Sequence, residues 1–251
     1  MELACEMEPG EGRPLVFLHG WLGSKESWRQ VRQHLELDNP ILFYDHRCHG
    51  ESPCEPFDFG DLAADLHTLI DEHGFEEPVL VGHSMGGMVA LTYAVTYDNL
   101  GGLFLSGTCA VTPTPEVHSP SWFLQRFDEM GREEWADLIV ENYFPGDRYD
   151  RLKAGARDEI LDAAETPVTC GLEAMIDYDV RDDLSRLDIP AAVVGAEQDH
   201  AITGDRVREL AELLDCTEQM VDTCHLIPEA EPRRYADLLS DFLDREGLAT
   251  Q

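Results

Sequence analysis

Short, continuous apolar runs alternate with stretches of helical periodicity along this chain. Leu15-Val16-Phe17-Leu18, Ile41-Leu42-Phe43-Tyr44, Val79-Leu80-Val81, Leu103-Phe104-Leu105 and Ala191-Ala192-Val193-Val194 predict strands buried on both faces. Gln219-Met220-Val221 predicts a last strand. Between the runs lie amphipathic helices. One carries Leu62, Leu66, Leu69 and Ile70 behind a candidate N-cap, Asp58. A second carries Val207, Leu210, Ala211 and Leu214, and the last Tyr235, Leu238, Leu239, Phe242 and Leu243. Strands and helices in alternation predict an α/β protein with a mostly parallel, doubly wound sheet.

The rhythm breaks after Thr112-Pro113-Thr114-Pro115 and resumes near Asp188. In between, Trp122, Phe123, Phe127 and Met130, then Trp135, Leu138, Ile139 and Phe144, follow helical spacing. Residues 1–112 and 186–251 are therefore expected to form the core, and 113–185 a helical lid inserted between two strands. An excursion of that length is usually functional. Trp122, Phe123 and Phe127 are its candidates for an apolar substrate wall.

At 251 residues the chain is of a length that often forms one α/β domain. The charge changes the picture more: net −33, a pI near 4.3, and Lys25 and Lys153 as the only lysines. Such self-repulsion weakens a compact state at low ionic strength. In 1 M salt a Debye length of about 3 Å screens most of it. The composition resembles that of cytoplasmic proteins from extreme halophiles. It disfavours nucleic acid and anionic membranes as partners. Met1–Glu8 lacks a basic n-region and an apolar h-region, so the expected location is the cytoplasm. The seven cysteines are scattered, with no C-x-x-C pair, and suggest neither a disulfide framework nor a zinc ribbon. Most are expected to be small buried hydrophobes.

The strongest chemical signal is Gly82-His83-Ser84-Met85-Gly86, a G-x-S-x-G placed after a strand and before a helix. There a serine hydroxyl is lifted clear of the sheet at the positive end of the following helix, and small neighbours are required where strand and helix crowd it. The Met85 backbone N–H can then face an oxyanion. His19-Gly20 after the first long strand lets the Trp21 N–H join it. Serine needs a base. Of ten histidines, His225 follows a strand late in the chain, as the order Ser…Asp…His requires. The acid should follow Ala191–Val194. Asp199 is better placed than Glu197, with Asp177, Asp179, Asp182 and Asp183 as substitutes. Asp45-His46-Arg47-Cys48-His49-Gly50 gathers ligand-like residues, but in no usual structural zinc spacing.

Together, His19-Gly20-Trp21, Asp45-x-Arg47-x-His49-Gly50-x-Ser52, Gly82–Gly87, Gly195…Asp199 and His225 resemble the α/β-hydrolase superfamily, in its lid-bearing esterase and lactonase branch. The resemblance spans nearly the whole chain. It implies Ser84, Asp199 and His225 as catalytic residues, Trp21 and Met85 as oxyanion donors, and a structural role for Asp45–Ser52. Cys48 stands where the family usually has glycine. Only about Leu3–Met7 remains before Pro14 for a first edge strand, whose absence would expose an edge for association. The implied activity is hydrolysis of a small carboxylic ester or lactone through an acyl-enzyme on Ser84, with no cofactor and no metal, in a monomer or small homo-oligomer. Alternatives are a carbon–carbon bond hydrolase, a 3-oxoadipate-type enol-lactonase, and a non-catalytic ligand-binding receptor on the same fold. A haloalkane dehalogenase or epoxide hydrolase would need a carboxylate where Ser84 stands.

The charge predicts that the melting temperature rises steeply from dilute buffer to multimolar KCl, with loss of structure at the dilute end. Equal melting temperature and circular dichroism at both ends would contradict it.

Overall fold

Each apolar run forms a strand in the computed structural model, which describes residues 1–112 and 118–249. The strands are β1 (Cys5–Glu8), β2 (Leu15–Leu18), β3 (Ile41–Tyr44), β4 (Val79–His83), β5 (Gly102–Ser106), β6 (Ala191–Ala196) and β7 (Glu218–Val221). They form one sheet in the order β1-β3-β2-β4-β5-β6-β7. β1 is antiparallel to β3, and every other pair is parallel. The first edge strand is thus present. Four residues suffice, with Cys5 opposite Tyr44 and Glu8 opposite Ile41.

Successive strand residues point to opposite faces, and both faces are covered. Val16, Leu18, Leu42, Tyr44 and Leu80 pack into the core that also holds Leu62 and Leu66 of the Phe59–Glu72 helix and Val89 and Tyr93 of the Met85–Thr96 helix. Leu15, Phe17, Phe43, Val79 and Val81 join Trp28 and the stripe Tyr235, Leu238, Leu239, Phe242 and Leu243 of the Pro232–Glu246 helix. Asp58 caps its helix as expected: its Oδ1 accepts from Asp61 N at 2.9 Å, and Asp61 Oδ2 accepts from Asp58 N at 3.1 Å. Among the described residues, no helix is long and apolar enough to cross a membrane.

The helical excursion leaves the core beside its return point. Val111 and Asp179 form an isolated antiparallel bridge, Thr112 N donates to Tyr178 O at 3.1 Å, and Val180 N donates to Ala110 O at 3.0 Å. Beyond this neck come the helices Pro120–Glu129, Arg132–Tyr143, Asp150–Asp162 and Glu165–Met175. Residues 113–117 of the expected insertion lie outside the described residues. Trp135 is fully buried and its Nε1 donates to Phe123 O at 3.0 Å, tying the first two helices together.

The cysteines need two corrections. Cys48 and Cys54 form a disulfide, although no framework is suggested by their spacing. A turn closed by Cys48 N donating to Pro53 O at 3.0 Å brings them together, and such a turn leaves no C-x-x-C signature. Nor are most of the seven buried hydrophobes: Cys109 and Cys224 are buried, but Cys5 and Cys54 are exposed and Cys48, Cys170 and Cys216 only half-buried.

Candidate active site

The sheet order reverses between β2 and β4: β2 is followed outward by β3, and the chain then returns to β4 on the other flank of β2. Ligands of open α/β sheets bind where the order switches, at the carboxyl ends of the strands. Leu18 pairs with Gly82, so His19-Gly20 and His83-Ser84 leave the sheet side by side. Ser84 has φ +52° and ψ −120°, a conformation rarely adopted by an L-residue. The turn closes through close backbone approaches. A Cβ on Gly86 would stand 2.2 Å from Leu18 O, and one on Gly82 2.8 Å from Gly86 O.

Ser84 Oγ lies 2.9 Å from His225 Nε2, and His225 Nδ1 lies 2.7 Å from Asp199 Oδ2. The residues come from the ends of β4, β7 and β6 respectively. His225 is 1 % exposed and Asp199 7 %. The other carboxylate oxygen, Asp199 Oδ1, accepts from Ala201 N and Ile202 N at 2.8 Å each, so the carboxylate is fixed from both sides. The rival acids are elsewhere. Glu197, Asp177 and Asp182 are exposed, Asp179 pairs with Arg181, and Asp183 pairs with Arg186.

Gly20 abuts the serine: a Cβ there would meet Ser84 Cβ at 3.3 Å. Neither the Trp21 nor the Met85 amide donates to another group among the described residues. The Trp21 ring runs the other way. Its Nε1 donates to Pro167 O at 2.9 Å, and the ring lies against Gly171, locking the β2 turn to the Glu165–Met175 helix. His83, one residue before the serine, has its ring centroid 5.2 Å from that of His225. Burial, then the neighbouring His225, pushes its pKa well below the ordinary value, so it is neutral. Two imidazolium rings therefore do not compete in this space.

The ligand-like stretch after β3 is a structural knot. Asp45 Oδ1 accepts from Lys25 N at 2.6 Å, and Oδ2 from Lys25 Nζ at 3.0 Å and Glu51 N at 2.9 Å. Burial opposes the Asp45 charge, but these hydrogen bonds hold its pKa below the ordinary carboxylate value. Gly50 has φ +51°, and a Cβ on it would strike Asp45 Oδ2 at 2.3 Å. Ser52 Oγ donates to Asp45 O at 2.7 Å and accepts from Ala4 N at 2.9 Å, which seats the start of the chain beside β3. His19 and His49 are neutral, lowered mainly by burial to about 3 and about 4.

A cavity of about 60 Å³ opens over Ser84 and His225. Of the three expected wall residues, only Phe123 lines it. Trp122 points aside and packs on His118 and Arg126. Phe127 packs on Trp135 and Arg132 inside the helical layer. The wall contains instead Met88, His118, Ile139, Asn142, Tyr143 and Leu172, among others. A wider depression of about 850 Å³ lies near Arg13, Pro40 and Gly74, at the opposite ends of the strands from this chemistry.

The sequence pattern of the alpha/beta hydrolase fold family matches residues 13–232. The chain belongs to that family. An enol-lactonase from Burkholderia xenovorans LB400 superposes with a TM-score of 0.87 at 23 % identity, covering 96 % of each chain. A thermophilic esterase from Thermogutta terrifontis, with malate bound, gives 0.87 at 26 % identity, covering 97 % of this chain and 93 % of that one. A 2-succinyl-6-hydroxy-2,4-cyclohexadiene-1-carboxylate synthase from Serratia proteamaculans is 26 % identical over 96 % of this chain and 98 % of that one. Two other curated relatives, an abhydrolase domain-containing protein of Schizosaccharomyces pombe and an sn-1-specific diacylglycerol lipase of Danio rerio, are spanned over about a third of their length.

Behind the β2 turn of this hydrolase fold, a second cavity of about 40 Å³ is bordered by Gly20, His83, Tyr143, Glu159 and Glu229. Neither His83 Nε2 nor Glu229 Oε2 has a hydrogen-bond partner there. Burial, assisted by the nearby Glu159, pushes the Glu229 carboxyl from 4.5 up to about 7. The folded protein then keeps a proton that the unfolded chain sheds between about pH 4.5 and 7, so stability falls as pH rises through that window. Glu229→Gln removes the penalty. Its stability relative to the parent should grow from near zero at pH 4.5 by up to about 3 kcal/mol above pH 7. A difference in melting temperature that does not change with pH would contradict this.

Proposed function

We propose that this hydrolase cleaves a small carboxylic ester or lactone through an acyl-enzyme on Ser84. The observation that carries the reading is the unbroken chain from Ser84 Oγ through both nitrogens of His225 to Asp199, at 2.9 and 2.7 Å. As a carboxylate, Asp199 only accepts, so Nδ1 carries the hydrogen and Nε2 is left to accept the serine proton. Ser84 Oγ attacks the carbonyl carbon as His225 takes its proton. The Trp21 and Met85 amides hold the oxyanion, each contributing about 2.7–4 kcal/mol in the transition state. His225 returns the proton to the departing alkoxide. Water, deprotonated by His225, then releases the acid and restores Ser84. No group outside the chain is called on.

The four long helices between β5 and β6, Pro120–Glu129, Arg132–Tyr143, Asp150–Asp162 and Glu165–Met175, act as a cap. Tyr143 O accepts from His225 N at 3.3 Å, and the two rings lie 4.9 Å apart, so the cap touches the base directly. A cavity of about 60 Å³ over Ser84 and His225 supports a small acyl or alcohol group. The esterase and enol-lactonase neighbours support a carboxylic ester or lactone as the bond cleaved.

In concentrated KCl, hydrolysis of short p-nitrophenyl esters and simple lactones should fall about 10⁶-fold in kcat in Ser84→Ala. Asp199→Asn should lose about 10⁴-fold with its geometry intact. Activity surviving in Ser84→Ala would remove the serine from the reaction. Turnover by neither parent nor variant would favour the carbon–carbon hydrolase or the receptor.

A further inference from the structure

Asn142 is placed where an amide side chain has no structural reason to be. It lies on the last turn of the Arg132–Tyr143 helix, next to the tyrosine that packs on His225. It is 4 % exposed, and neither Nδ2 nor Oδ1 has a hydrogen-bond partner among the described residues. It lines the same cavity as Ser84 and His225. A buried amide that leaves both its donor and its acceptor unpaired destabilises the fold. Native chains rarely tolerate that without a role for the group.

The rest of the wall says what would complete the amide. Phe123, Ile139, Leu172 and Met175 offer a ligand no polar side-chain atom; apart from Ser84 and His225, the polar side chains of the wall are those of Trp21, Thr112, His118, Tyr143 and Asn142. The Thr112 hydroxyl is committed to Met175 O at 2.6 Å. No arginine or lysine lines the cavity, and the net charge of −33 opposes an anion. An unpaired donor and an unpaired acceptor in one plane match a group that offers one of each, uncharged, on a short arm.

We infer that Asn142 is a specificity-determining residue that pairs with a neutral primary carboxamide on the acyl or alcohol arm of the substrate. The inference rests on the serine-hydrolase reading of the site, since it names the substrate class of the same cavity. The CONH2 group of such an ester donates one N–H to Asn142 Oδ1 while its carbonyl oxygen accepts from Nδ2, a cyclic pair that a trans secondary amide cannot form. An alkyl arm of equal length leaves both protein atoms unpaired and is disfavoured for that reason.

The test compares p-nitrophenyl glutaramate, whose arm ends in a primary carboxamide, with p-nitrophenyl hexanoate, which match in chain length, on the parent and on Asn142→Leu, a change of similar shape. Taking the ratio of kcat/KM within each protein, and then comparing proteins, cancels the different intrinsic reactivities of the esters. The ratio of amide to alkyl ester should fall on the order of 10- to 100-fold in Asn142→Leu. The variant should also melt several degrees higher, because an unpaired dipole is gone from the interior. A ratio within twofold of the parent overturns the inference. So does that unchanged ratio together with a lower melting temperature, which would make Asn142 the holder of a structural water.

If the parent hydrolyses neither ester, the esterase reading fails, and the inference is decided by binding alone. The same two esters are then titrated calorimetrically into Ser84→Ala and into Ser84→Ala with Asn142→Leu. A preference for the amide ester that disappears with Asn142 upholds it. Equal affinities for both esters in Ser84→Ala overturn it.

Discussion

Ser84 is held at φ +52° by the crowding of the β4 turn against the end of β2. Such a backbone costs an L-residue on the order of 1–3 kcal/mol and persists only where its surroundings over-determine it. Here they do. Gly86 sits against Leu18 O, Gly82 against Gly86 O, and Ser84 N donates to Ser106 O at 2.9 Å. The same approach sets Gly20 against the serine and leaves the Trp21 and Met85 amides without partners among the described residues. A looser turn would lower the hydroxyl away from His225 and separate the two amides. Under the proposed mechanism, nucleophile placement and oxyanion placement are one packing problem.

The acidic protein keeps its site electrically quiet. His19, His46, His49 and His83 all surround the β2 and β4 turns, and burial holds each below its ordinary pKa. They fill space without adding charge next to His225. The one strongly committed cation nearby, Lys25, is spent on Asp45 and Glu51. That buried pair seats the loop after β3 beside the β2 turn. Removing one partner of such a pair generally costs about 3–5 kcal/mol, because the other is left uncompensated. The helices between β5 and β6 pack on this core through Trp21 and Tyr143, each touching both layers.

The parts of this arrangement that were legible in the sequence are those that local chemistry dictates. Continuous apolar runs mark the buried strands, and the glycines of Gly82–Gly87 mark a turn that admits little else. Asp199 could be preferred over Glu197 by the distance the chain needs to turn back, and the geometry places it on His225. Features set by tertiary packing were not legible. Trp122 and Phe127 share a helix with Phe123, yet only Phe123 reaches the cavity, because Trp135 and Arg132 occupy the space beside Phe127. Asn142 looks like any polar residue near a helix end until its burial without partners is known. The Cys48–Cys54 pair depends on a turn without a spacing signature, and β1 on a register no longer than four residues.

The central claim is that Ser84 is a nucleophile activated by His225. It is tested most directly by reacting the folded protein with a fluorophosphonate probe and locating the adduct by peptide mass. The account predicts one phosphonyl group per chain, on the peptide that holds Ser84, and loss of labelling in His225→Ala. An adduct on another residue, or none in protein with native circular dichroism, would contradict it.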